Sequence, residues 1–183
     1  MKKSIVFIII GILAVSSVFS ADSDNFDIVV TCSYLDISLM QSWDHGTPYG
    51  TWNLGILAPG AAPVAMTTAE HIWVSNGSNT PLDFSAYVES PVPAPCGFGT
   101  PTAWTPGVTA DTDQFRLELG VGAPDAEPLS YTDITATTAP GNEYLSGADA
   151  GVSHDLYTRF TVPTATTDGC EHTLTVTVTI SVH

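Results

Sequence analysis

Basic side chains are scarce in this sequence. Its 183 residues include four Lys and Arg against nineteen Asp and Glu, which gives a formal net charge of −15 at pH 7. Lys2 and Lys3 precede an N-terminal apolar run, so Arg116 and Arg159 are the only strong cations of the remaining chain. Because affinity for a phosphate backbone depends mainly on Lys and Arg, this composition excludes nucleic acid as a partner. It also excludes Schiff-base catalysis and a P-loop.

Motifs of hydrolytic enzymes are absent too. The sequence contains neither GxSxG nor HExxH, and its five histidines lack the spacing of zinc ligands. Ser153, His154 and Asp155 are adjacent in GVSHD, but neighbours in an extended chain point to opposite faces, which disfavours a catalytic triad. We therefore predict a protein that is not an enzyme and needs no cofactor.

Long apolar runs are limited to one, from Ile5 to Phe19. It follows two lysines, is shorter than the roughly twenty residues of a membrane-spanning helix, and precedes small residues. Residues 1–20 are predicted to be a signal peptide, and residues 21–183 a single domain without a stable membrane anchor. We expect the protein in the periplasm, at the cell surface or outside the cell.

Cysteines are few: Cys32, Cys96 and Cys170. In an oxidising compartment two of them are expected to pair, and all three pairings are open on the sequence alone. Cys96 with Cys170 is the preferred pair because both lie in Gly-containing loops, whereas Cys32 lies in a predicted strand.

Two-residue periodicity is the strongest pattern that is present. In HTLTVTVTISVH, from His172 to His183, apolar residues alternate with Thr and Ser, as expected for a strand with one buried face. No helical period extends beyond a turn or two. Similar alternation predicts further strands in DQFRLELGV, DLYTRFTV, PLDFSAYVE, HIWV, FDIVVTCSYL, GTWNLGIL and, more weakly, LSYTDITAT.

These segments predict an all-β fold. About seven to eight short strands separated by Gly, Pro, Asn and Asp clusters indicate an antiparallel immunoglobulin-like β-sandwich, with a closed barrel as the alternative. HIWV and PLDFSAYVE are predicted to form a hairpin across NGSNT. Two segments are predicted to be irregular loops, Pro91–Gly107 and Ala139–Asp155.

Acidic loops offer weak calcium candidates. Asp111 and Asp113 lie in TADTDQ, and Asp149 and Asp155 lie in or beside the second irregular loop. Calcium binds oxygen ligands, but no segment follows the EF-hand pattern. Solvated loop carboxylates explain the same residues, and no metal site is expected.

Aromatic residues suggest an alternative function. Trp43, Tyr49 and Trp52 cluster around DHGTPYG, and Trp104 lies in the first irregular loop, Pro91–Gly107, here called the proline-rich loop. Exposed Trp and Tyr rings can stack on sugar rings, so these four residues form a possible platform for polysaccharide. Packing of the rings against the core is the structural alternative.

Two further segments resemble a known group. NLGILAPGAAPV followed by HIWVSNGSNTPLDFSAYVE is similar to secreted β-sandwich proteins of the camelysin and biofilm-matrix fibre group. The resemblance implies a subunit of an extracellular matrix or filament rather than a catalyst. The similar residues are Leu57, Pro59, Gly60, Val74, Asn76, Gly77, Leu82 and Phe84.

An assembly mechanism follows from the alternation near the predicted mature N-terminus. Phe26, Ile28, Val30 and Cys32 alternate with other residues in the segment Ala21–Met40, here called the arm. An open sandwich has edge strands that can pair with another chain. The arm is expected to pair either in its own sheet or in that of a neighbouring copy, which would give a homo-oligomer or fibre with Cys32 at the joint.

Overall fold

The structure is a computed structural model that describes residues 35–41, 44–122 and 126–183. The predicted signal peptide, most of the arm with Phe26, Ile28, Val30 and Cys32, and Trp43 lie outside these residues. The described residues form ten strands. They are β1 (Ile37–Gln41), β2 (Val64–Ala65), β3 (Ile72–Asn76), β4 (Leu82–Glu89), β5 (Thr105–Pro106), β6 (Gln114–Gly122), β7 (Thr132–Asp133), β8 (Asn142–Ala148), β9 (Ser153–Thr161) and β10 (Thr175–Val182).

The strands form two sheets. The first, sheet A, has the order β1-β3-β9-β6-β5, with β2 paired to β9 and β7 paired to β6; the second, sheet B, has the order β10-β4-β8. All pairs are antiparallel except β5 with β6. The predicted β-sandwich is confirmed and the closed barrel is wrong. If the three two-residue strands are left out, sheet A has four strands and sheet B has three, as in constant-type immunoglobulin domains. The strand order within each sheet is specific to this chain.

The core lies between the two sheets. Phe115, Leu117 and Leu119 of β6 point into it, and Phe84 and Val88 face them from β4. Each is almost fully buried, and burying one such side chain contributes roughly 1.5–3 kcal/mol to the free energy of unfolding. The two-residue alternation predicted for these strands is therefore the pattern that fills the sandwich.

The predicted hairpin between β3 and β4 is wrong. β3 pairs with β1 and β9 in sheet A, whereas β4 pairs with β10 and β8 in sheet B. The connection thus passes from one sheet to the other. Asn76 fixes this crossing, because its buried side-chain amide donates to the Thr80 and Ala148 carbonyls and its side-chain oxygen accepts from the Ser78 N–H.

Three other segments differ from their predictions. GTWNLGIL forms no strand, although Trp52, Leu54 and Leu57 pack on the core. The Asn53 side chain accepts from the Gly55 N–H, and Gly55 has a positive φ of 63°, so the chain turns here. The predicted second loop contains strand β8, which pairs with β4. LSYTDITAT contributes only the two residues of β7, and Pro91–Gly107 is irregular apart from β5.

Candidate functional site

The longest unshared strand edge in the described residues belongs to β10. β10 pairs with β4 over eight residues, from Thr175 opposite Glu89 to Val182 opposite Leu82. No other described strand pairs with its far side. Val178 and Ile180 are half-buried against the core, while Val176 is 37 % exposed and Val182 is 50 % exposed. The predicted apolar face of β10 is therefore only partly covered.

The direction of the backbone groups on β10 follows from its neighbours. In an antiparallel pair, the N–H and C=O of one residue point to the same side, and the side alternates along the strand. The Val88 N–H donates to the Ala136 carbonyl, away from β10, and the His183 N–H donates to the Pro81 carbonyl. Val176 lies opposite Val88, so its backbone N–H and C=O point away from β4. The same holds for every second residue along β10. These residues are Val176, Val178, Ile180 and Val182.

β10 also lacks the features that usually prevent edge pairing. Proteins protect an edge with charged residues, proline, bulges or a very short strand. TVTVTISV has no charge, no proline and no glycine, and all of its residues except Ser181 are Val, Thr or Ile, which have high β-propensity. The sequence of β10 therefore makes its free edge a template for another strand.

The outer strands β1 and β8 are protected. Beside β1, the Tyr49 N–H donates to the Leu39 carbonyl at 2.9 Å and the Gln41 N–H donates to the Thr47 carbonyl at 2.8 Å. These bonds occupy part of the free side of β1. In β8, the register against β4 shifts near Phe84, and Gly147 has a positive φ of 65°, so the strand is irregular. Of these three edges, β10 is the regular one.

A cleft lies beside the end of β1. It has a volume of about 380 Å³ and receives side chains from the end of β1, the segment that follows it and the segment that precedes β3. Burial raises the pKa of the Tyr49 phenol, and the Glu70 carboxylate raises it further. The lining residues are Gln41, Tyr49, Gly50, Thr51, Trp52, Asn53, Ala69, Glu70 and His71.

Two polar residues of the cleft are held in place. Nδ1 of His71 lies 2.8 Å from the Thr68 carbonyl and Nε2 lies 3.2 Å from the Asp155 carboxylate, so both ring nitrogens are engaged. The ring is buried and stacks on Tyr157. The exposed Glu70 accepts from the N–H and the hydroxyl of Thr67 through one oxygen, Oε2.

The structure divides the predicted aromatic platform. Tyr49 and Trp52 both line the cleft. Trp104 instead stacks on His172 with a centroid distance of 3.8 Å, and His172 contacts the Asp168 carboxylate. Glu70 and His71 were missed by the sequence argument, because nothing in their local pattern connects them to the aromatic cluster before them.

The preferred disulfide is confirmed. Cys96 and Cys170 are bonded, with their Cα atoms 5.4 Å apart. Asp168 secures the same junction, because its buried carboxylate accepts from the Thr102 N–H at 2.8 Å and the Cys170 N–H at 3.2 Å. The proline-rich loop is therefore fixed to the segment that leads into β10.

Three of the four calcium candidates have protein partners. Asp113 accepts from the Thr167 N–H, and Asp111 accepts from the Thr112 N–H. Asp155 lies within β9, where it pairs with His71, and Asp149 is exposed. Within the described residues, no group of three or more His, Cys, Asp or Glu side chains is arranged to hold a metal ion.

The residues of GVSHD do not converge on one site. The Ser153 hydroxyl bonds to the Ser75 hydroxyl at 3.3 Å, whereas Asp155 pairs with His71. The side chains of these two β9 residues have separate partners, although alternation places both on the same face of the strand.

Comparisons with known proteins return no relative: no family model, curated protein or solved structure matches this chain. In the described part of the chain, no helix combines the length and hydropathy needed to span a membrane.

Proposed function

We propose that the protein is a secreted, non-catalytic structural protein, a matrix or filament subunit at the cell surface, whose copies join through the free edge of β10. The observation that carries this proposal is the regular, uncharged eight-residue edge with outward backbone groups. Strand addition at such an edge forms main-chain hydrogen bonds, and its specificity comes from alternate side chains. The resemblance of two segments to biofilm-matrix fibre proteins agrees with this role.

Ile37–Met40 of the arm belong to β1 and pair with β3 of the same chain, so the partner strand in this proposal is the preceding part of the arm, residues 21–34, of a neighbouring copy. Phe26, Ile28 and Val30 occupy every second position, with Asp27 and Val29 between them, so a strand here would have one wholly apolar face. On β10, Val176 and Val182 expose apolar surface that such a strand would cover. Backbone bonds need no opposite charge, and β10 is uncharged, so Asp27 of the arm would meet no like charge on β10 itself.

A proline substitution on β10 tests the joint. Val178→Pro removes one outward N–H and leaves the N–H groups that bond to β4 in place. We expect oligomers or filaments of residues 21–183 to be lost, as seen by negative-stain microscopy and size-exclusion chromatography. Val178→Ala is the matched control, because it also shortens the side chain but keeps the N–H, and it should still assemble. Circular dichroism checks that both variants fold.

Deletion of residues 21–34 tests the other half of the joint. It should give monomers even though β10 is intact. The proposal is wrong if the unaltered protein stays monomeric at high concentration, or if Val178→Pro and the deletion both assemble as well as the unaltered protein does.

A further inference from the structure

The cleft beside β1 has the composition of a ligand site. Its volume of about 380 Å³ lies within the roughly 300–1,000 Å³ that is typical of small-molecule pockets. Tyr49 and Trp52 give it aromatic surface, and Gln41, Asn53 and Glu70 give it amide and carboxylate groups. Aromatic rings beside hydrogen-bonding side chains suit a molecule with apolar ring faces and a hydroxylated rim.

Contacts within the fold hold two side chains of the cleft in place. Trp52 is half-buried and packs against the hydrophobic core, which limits the movement of its ring. The His71 ring is fixed through both nitrogens, as described above. A site whose side chains are already ordered loses less conformational entropy when it binds.

The charges of the cleft restrict the ligand. Glu70 contributes an exposed carboxylate with one oxygen, Oε1, outside its bonds to Thr67. The two ring nitrogens of His71 are directed to Thr68 and Asp155 and do not offer a cationic contact to a bound anion. The net charge of −15 adds a general repulsion of anions. Uncharged sugars are favoured over uronic acids and sulfated sugars.

We propose that this cleft binds one or two units of a neutral polysaccharide, with the Tyr49 and Trp52 rings contacting sugar faces and Glu70 accepting from sugar hydroxyls. This function is separate from strand pairing at β10, because the two surfaces share no residue. A matrix subunit with such a cleft would attach to surrounding glycan as well as to its own copies.

Calorimetric titration of residues 21–183 with cellohexaose, chitohexaose and mannohexaose tests the proposal. At least one of these neutral probes should bind. Glu70→Gln and Trp52→Phe should each weaken the binding about tenfold or more, since reducing the ring contact or removing the charged acceptor is expected to cost on the order of 1.4 kcal/mol or more. Glu70 is exposed, so its variant should fold normally.

Trp104→Phe is the matched control. Trp104 belongs to the platform predicted from the sequence, but it packs on His172 and does not line the cleft. Its substitution should leave the affinity unchanged. The proposal is overturned if none of the three probes binds, if tetragalacturonate binds more tightly than all of them, or if Trp104→Phe weakens binding as much as Trp52→Phe. Assembly is measured separately, so failure here would leave the joint at β10 standing.

Discussion

At the scale of single residues, Glu118 explains how this acidic chain uses its two arginines. Its side chain is only 2 % exposed on the outer face of sheet A and contacts the Arg159 guanidinium, with Arg116 Nη2 3.0 Å away. Arg116 also donates to Asp133 at 2.6 Å, and Arg159 lies over the Tyr131 ring. Both guanidiniums are thus committed to internal contacts and form no basic patch.

Replacing Glu118 should be costly. Glu118→Ala leaves the two guanidiniums without their shared carboxylate, and breaking a buried pair typically costs about 3–5 kcal/mol. Because both arginine side chains are about one-third exposed, water replaces part of the interaction and we expect about 2–3 kcal/mol. Urea unfolding measures the loss. Glu143→Ala, at an exposed position of β8, is the control and should change stability little; equal losses in both variants would contradict the argument.

Asp168 should make stability depend on pH in the acid range. His172 and the N–H groups of Thr102 and Cys170 lower the pKa of this carboxyl. A lowered folded-state pKa contributes stability that is complete above the unfolded value of about 3.9 and is lost as the pH falls through the folded value. Asp168→Asn should therefore lower stability at neutral pH and flatten its decline below about pH 4.

Unfolding in urea between about pH 2 and 7 checks this prediction. Asp149→Asn removes an exposed carboxylate and should keep the acid decline. A decline of equal steepness in Asp168→Asn would assign the acid sensitivity to other groups. Asp83, whose pKa is lowered by the Gly147 N–H, the Ser146 hydroxyl and His183, is the first of these to examine.

At the scale of elements, strict alternation decided which strands could be predicted. β4 and β6 were identified from the sequence because their apolar residues recur every second position and fill one core. β8 was missed since it combines polar residues with Gly147, and it forms because β4 offers it an edge, where Phe84 contacts Tyr144. The β3–β4 hairpin failed because the turn between them crosses the sandwich, which local turn residues do not reveal.

The two candidate sites could likewise be predicted only in part from the sequence. The alternation of β10 was evident from its sequence, but its free edge is a property of the sheet order, which places β10 outside β4. Tyr49 and Trp52 were identified as neighbours in sequence. Glu70 and His71 join them only because the chain returns to the same place before β3, and a tertiary contact of this kind leaves no local signal.

At the scale of the whole molecule, charge and assembly oppose each other. A net charge of −15 keeps copies apart in solution through repulsion that acts over roughly the Debye length. The proposed joint, in contrast, depends on backbone bonds and on the uncharged residues of β10, which act only on contact. Assembly should therefore be limited by the approach of two like-charged copies rather than by attraction at the joint.

This balance predicts that salt promotes assembly. Raising sodium chloride from about 0.01 M to 0.1 M shortens the Debye length from about 30 Å to about 10 Å, which screens the repulsion between approaching copies. Light scattering of residues 21–183 should show faster growth of oligomers at the higher concentration. The variant lacking residues 21–34 should stay monomeric at both, which separates assembly through the arm from nonspecific salting-out. Growth that slows with salt would show that ion pairs hold the copies together, and the uncharged edge of β10 could not then be the main joint.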